Sequence, residues 1–182
     1  PRHCRLELYD PLDAVNITVA NRLVPLETDL SVPLGYTLEK GRQKSHTGLA
    51  ATWGLLDPDS AAELEGVYMV EPYDPRKVPV LMVHGLWSSP TTWMDMFNDL
   101  RSFPEIRERY QFWFYMYPTG QPFWISANQM RKDLVELRQT LDPMRQNPTF
   151  DQMVVVGHSM GGLVSTMQTL DSGNDFWNIL SE

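Results

Sequence analysis

The 182-residue chain holds a single cysteine, Cys4, which excludes an intrachain disulfide framework. No Cys and His residues fall at zinc spacing, so neither a metal nor another cofactor is expected. Basic residues are scarce: 15 Lys and Arg stand against 23 Asp and Glu, a formal net charge of −8. No block of Lys and Arg could neutralise a run of phosphates, which speaks against nucleic acid as a partner, and no polybasic segment suits an anionic membrane surface. Long hydrophobic runs are missing as well. The two longest, VPVLMVHGLW and QMVVVGHSMGGLV, are broken by Gly and His and are too short to cross a bilayer. These features favour a soluble portion and leave peripheral membrane association open. The chain opens on Pro1 with no basic segment leading into an apolar one; the expectation is a processed chain or a piece of a longer reading frame. Histidine is rare too, and all four (His3, His46, His84 and His158) stand before residue 159.

What is present suits one substantial core, since 42% of the residues are hydrophobic and 11% aromatic. Residues 1–65 read as an N-terminal extension with short strands and a helix, and residues 66–182 as the main α/β unit. In the extension, CRLELYD and VNITVA suggest extended segments, as does TGLAATWGLLDPD. TDLSVPLGYTLEKG suggests a short helix, with Asp29 or Ser31 as cap. Residues 67–70 read as a strand stopped by prolines. From Val78 the pattern sharpens. VPVLMVHG, YQFWFYMYPTG and MVVVG are short, nearly all-apolar runs, the signature of strands covered on both faces. Between them lie helical patterns. Ser89 and Pro90 open one, with Trp93, Met96, Phe97 and Leu100 at helical spacing. A capping-box pair, Ser126 and Gln129, opens the next, with Met130, Leu134, Leu137 and Leu141 on one face. SMGGLVSTMQTLD reads as a third helix. Apolar strands alternating with amphipathic helices predict an open, mostly parallel sheet with helices on both faces. Ligands in such sheets sit beyond the carboxyl ends of the strands, where HGLW and GHSMGG both fall.

Gly157, Ser159 and Gly161 match G-x-S-x-G immediately after an expected strand and at the start of an expected helix. The string alone would arise by chance in about one chain in fifteen of this length, so its context carries the argument. A sharp turn there would present the Ser159 hydroxyl at the top of the sheet. Small residues two positions either side, with Gly162 beside them, would let strand and helix approach closely. The first helical N–H groups would face any negative charge developing beside the serine. Phosphate-loop alternatives fail: Leu163 stands where a Walker lysine is required, and Ser159 where the dinucleotide fingerprint needs glycine. Attack on an acyl carbonyl also needs two preorganised N–H donors, one after the nucleophile and one on the loop after an earlier strand. Met160 and Leu86 are the candidates. Gly85 would clear the approach, His84 would hold its loop by packing or hydrogen bonding, and His158 would shape the elbow.

PYDPRKVPVLMVHGLWSSPTTW, RYQFWFYMYPTGQP and VVVGHSMGGLVS together resemble the α/β-hydrolase superfamily in its lipase and esterase branch. They are similar in particular to a bacterial group of ill-defined substrate, often exported or associated with the cell envelope. The likeness spans about residues 66–177. It implies an acyl-enzyme on Ser159, an oxyanion hole at Leu86 and Met160, no cofactor, and a small-molecule acyl ester as substrate. Trp87, Trp93, Phe123, Trp124 and Met160 near these loops suit an apolar acyl group, although core packing explains most of them.

The superfamily order is Ser, then Asp or Glu, then His, and no histidine follows Ser159. Asp171 and Asp175 lie too close to the elbow helix to be the usual acid. The expectation is the N-terminal to central part of a longer hydrolase, inactive alone because nothing in it activates the serine. Two alternatives stay open: an acyltransferase or thioesterase on the same fold, and a non-catalytic binding module.

Overall fold

A computed structural model of the chain describes residues 6–9, 14–26, 29, 31–32, 35–36, 65–171 and 173. In chain order these form β1 (Asn16–Val19), β2 (Arg22–Pro25), β3 (Gly66–Met69), β4 (Val78–Val83), a 3₁₀ turn (Pro90–Trp93), α1 (Met94–Ser102), α2 (Pro104–Arg109), β5 (Tyr110–Met116), α3 (Phe123–Leu141), α4 (Pro148–Asp151), β6 (Val154–Gly157) and α5 (Met160–Thr166). β1 and β2 make an antiparallel hairpin, and the other four strands make one sheet in the order β3-β5-β4-β6. β4 runs parallel to both β5 and β6, while β3 pairs antiparallel with β5. The architecture is a mixed α/β one, with a mostly parallel four-stranded sheet.

Strand alternation sends successive side chains to opposite faces, and each face finds its own helical cover. Val80, Met82, Phe112 and Phe114 pack with Trp93 and Phe97 on one side. Leu81, Val83, Trp113 and Tyr115 pack with Ala127, Met130 and Val164 on the other. β4 is therefore buried along all six residues, as its unbroken apolar run leads one to expect.

Several local expectations are corrected. MVVVG does not form a buried strand: Val154 and Val155 are exposed, because β6 is an edge with β4 as its sheet neighbour among the described residues. The Ser126/Gln129 capping box is not used. α3 begins at Phe123 behind Pro122, whose fixed φ of −55° prepares a helical start. Ser126, inside the first turn, accepts a bond from Gln121 at 3.1 Å, and Gln129 donates instead to Asp133 at 2.8 Å. Ser89 does cap a helical start, accepting from the Thr91 N–H at 3.4 Å, but the segment opens as a 3₁₀ turn before α1. Met96 is exposed rather than on the packed face. The hairpin strand β2 and the short helices α2 and α4 are additions that no periodicity announced, since four to six residues hold less than two helical turns.

In the extension, residues 6–9 take no regular structure. The Gly35 N–H bonds the Ser31 carbonyl at 3.0 Å, and Asp29 accepts from the Ser31 N–H at 2.8 Å. The rest of that expected helix, and the whole of TGLAATWGLLDPD, lie outside the described residues.

Candidate active site

β6 ends at Gly157 and α5 begins at Met160, which leaves His158 and Ser159 to reverse the chain. Ser159 takes φ 54° and ψ −122°, a left-handed conformation that costs a non-glycine residue about 1–3 kcal/mol. Neighbouring bonds hold it there. The His158 N–H donates to the Val83 carbonyl at 3.0 Å, and the Gly161 and Gly162 N–H groups donate to the carbonyls of His158 and Ser159, each at 2.9 Å.

The glycines are not equivalent. A Cβ at Gly157 would stand 2.5 Å from the Gly161 carbonyl oxygen, and one at Gly161 would stand 2.3 Å from the Val83 oxygen and 2.4 Å from that of His84. Both positions need glycine because backbone fills the space. A Cβ at Gly162 would meet only the Gly157 oxygen, at an ordinary 3.6 Å. Gly162 meets the elbow through its Cα, which forms part of the wall against Gly157, and a methyl group on Gly162 itself would fit.

The loop after β4 comes to the same place. A Cβ at Gly85 would lie 2.9 Å from His158 Nδ1 and 3.0 Å from Ser159 Cβ, so this glycine lets the loop touch the serine. Leu86 follows, then Trp87 with φ 59°, and both side chains are exposed. Among the described residues, the N–H groups of Leu86 and Met160 have no acceptor. Both groups adjoin the contact between loop and elbow, since Leu86 follows Gly85 and Met160 follows Ser159.

His84 is 1% exposed, and burial pushes its imidazole down to about 4, opposed in part by its bond to the Gly85 carbonyl. That bond, Nδ1 to Gly85 O at 3.1 Å, requires Nδ1 to carry the proton. Nε2 is then a buried acceptor without a partner among the described residues. The neutral ring stacks on Tyr117 with centroids 4.5 Å apart, and the Tyr117 hydroxyl donates to the His84 carbonyl at 2.7 Å. Burial raises the Tyr117 phenol well above its usual range, so the hydroxyl keeps its proton. Sequence reasoning passed over Tyr117; the only signal was an aromatic with a polar tip one residue past a buried strand. The His158 ring lies edge-on to Trp93, with centroids 6.4 Å apart.

No side chain among the described residues hydrogen-bonds the Ser159 hydroxyl, and none of their His, Cys, Asp and Glu side chains gather in a group able to hold a metal ion. No described helix is long and apolar enough to cross a membrane. No family model matches the chain, and neither a curated protein nor a solved structure does so.

Proposed function

We propose that the chain is part of a serine hydrolase of the α/β-hydrolase type that cleaves carboxylic esters through an acyl-enzyme on Ser159. The observation that carries this reading is the strained Ser159 at a strand-to-helix turn, pressed against the Gly85 loop, with N–H groups at Leu86 and Met160 that have no acceptor among the described residues. Strain of this kind persists where surrounding structure over-determines it, and an exposed serine beside the peptide N–H groups of Met160 and of the Gly85 loop suits acyl transfer.

In the proposed reaction, Ser159 Oγ attacks the acyl carbon while a general base takes its proton. The carbonyl π pair moves to oxygen, and the resulting oxyanion accepts from the Leu86 and Met160 N–H groups. Collapse expels the alkoxide, which leaves as the alcohol with the proton from the base. Water then repeats the sequence on the acyl-enzyme and frees the acid. The base is proposed to be a histidine from beyond Glu182, held by an Asp or Glu. The exposed Leu86, Trp87, Trp124 and Ile125 follow the carboxyl ends of β4 and β5 and favour an apolar acyl group. An added alcohol or thiol in place of water would make the same site an acyltransferase, and product analysis with and without such an acceptor separates the two.

One observation favours a second reading, a binding module on the same scaffold: no described side chain bonds the Ser159 hydroxyl. A fluorophosphonate probe applied to the complete reading frame discriminates. Labelling at Ser159 that disappears in Ser159→Ala is expected, and a folded full-length protein that takes no label would leave the binding module standing.

A further inference from the structure

We infer that Tyr117 is a positioning residue for the proposed oxyanion site, pinning the 84–86 loop through His84 so that the Leu86 N–H keeps one direction. The inference rests on the acyl-transfer reading for its consequence but on independent geometry for its cause.

Gly85 must lack a side chain, because His158 and Ser159 occupy the space where one would sit. Glycine is also the most flexible residue, so the clearance that brings the loop to the serine would leave the next N–H free to wander. An oxyanion donor is effective only when its direction is set before charge develops. Something must hold the two peptide units on either side of Gly85.

Two bonds do so. The first peptide, from His84 to Gly85, is held at its carbonyl by the Tyr117 hydroxyl at 2.7 Å. The same oxygen fits the notch left by the missing Cβ of Gly161, 2.4 Å from where that atom would stand. The second peptide, from Gly85 to Leu86, is held at its carbonyl by His84 Nδ1–H at 3.1 Å. Carbonyl and N–H point in opposite directions across a planar trans peptide, so anchoring Gly85 O on the buried imidazole turns the Leu86 N–H away from it. The imidazole is itself held flat against the Tyr117 ring. One tyrosine thus fixes one peptide directly and orients the ring that fixes the next.

The test compares Tyr117→Phe, which keeps the stacked ring and deletes the hydroxyl, with the native full-length protein. Two readouts are used: kcat and KM on p-nitrophenyl butyrate, and the ¹⁵N order parameter of the Leu86 amide, which needs no activity. The variant should lose about tenfold or more in kcat with KM within about twofold, since a misdirected donor weakens the transition state more than ground-state binding. Its Leu86 order parameter should fall from about 0.85 toward 0.6. Native kcat with a native order parameter in Tyr117→Phe overturns the inference. If the native protein neither turns over the ester nor takes a fluorophosphonate, the acyl-transfer reading has failed, and the order parameter alone decides whether Tyr117 holds the loop. Should Tyr117→Phe not fold, His84→Asn and His84→Gln give the answer. Asn offers an N–H close to the Nδ1 position and should retain most of kcat and of the order parameter, whereas Gln, which reaches the Nε2 position, should retain neither. Equal behaviour of the two would also overturn the inference.

Discussion

At the scale of single residues, the two glycines that follow Met160 have opposite requirements although they are neighbours on one helix. Gly161→Ala forces a methyl group into the carbonyls of Val83 and His84, neither of which can rotate away. Overpacking against backbone is expected to cost about 3 kcal/mol, measured by urea unfolding. Gly162→Ala makes only an ordinary contact with the Gly157 oxygen and removes a flexible residue from α5, so it should be neutral or stabilise by up to about 1 kcal/mol. A large loss from Gly162→Ala would contradict the packing described here. G-x-S-x-G itself was legible in the sequence, and so was the reason for its glycines. Gly162 was not, because a string cannot tell a glycine that must lack a side chain from one that merely does.

At the scale of elements, the sheet is joined to α1 chiefly through Phe97. This ring is fully buried and meets Phe112 and Phe114 edge-on, with centroids 5.5 Å and 5.3 Å away. Phe97→Ala should cost about 3–5 kcal/mol in thermal or denaturant unfolding, the range for an aromatic removed from a closed core. A cost below about 1 kcal/mol would mean that α1 collapses onto the sheet without it. Hydrophobic spacing identified β4, β5 and the bodies of α1 and α3, since burial dictates which positions are apolar. It misjudged β6, whose valines are as apolar as those of β4 but stand at an edge of the sheet among the described residues. Composition reports what a strand could bury, and only the neighbouring elements decide what it does bury. Boundaries failed for a related reason: α3 opens at Phe123 behind Pro122, with no side-chain cap bond, three residues before the serine that the capping pattern singles out.

At the scale of the whole molecule, one buried and one half-buried titratable group pull the stability curve in opposite directions across overlapping pH ranges. His84 is lowered from 6.5 to about 4 by burial. Between these values the unfolded chain binds a proton that the folded one refuses, so this contribution is full above 6.5 and is lost as pH falls toward 4. The shift corresponds to about 3 kcal/mol at 1.36 kcal/mol per pH unit. Glu65 is raised from 4.5 to about 7, first by burial and then by the nearby Asp133. Its protonated form favours the folded state, a contribution present below 4.5 and lost as pH rises through 7. His84→Asn should therefore flatten the acid limb between pH 4 and 6.5, and Glu65→Gln should reduce the decline between 4.5 and 7. Unfolding free energies measured at half-unit pH intervals check both; parallel curves for native and His84→Asn would show that the imidazole is not held neutral.

The sequence by itself determined the alternation of buried strands and amphipathic helices, the turn at Ser159, and the two loops expected to meet there, because periodicity and steric demand act within a few residues. Only the tertiary structure decided that β6 stands at an edge among the described residues, that Gly85 touches Ser159, and that Tyr117, just past β5, holds the His84 carbonyl. Those contacts join residues 33 or more positions apart. No local pattern encodes them, since each depends on which strands become neighbours and how far their ends protrude.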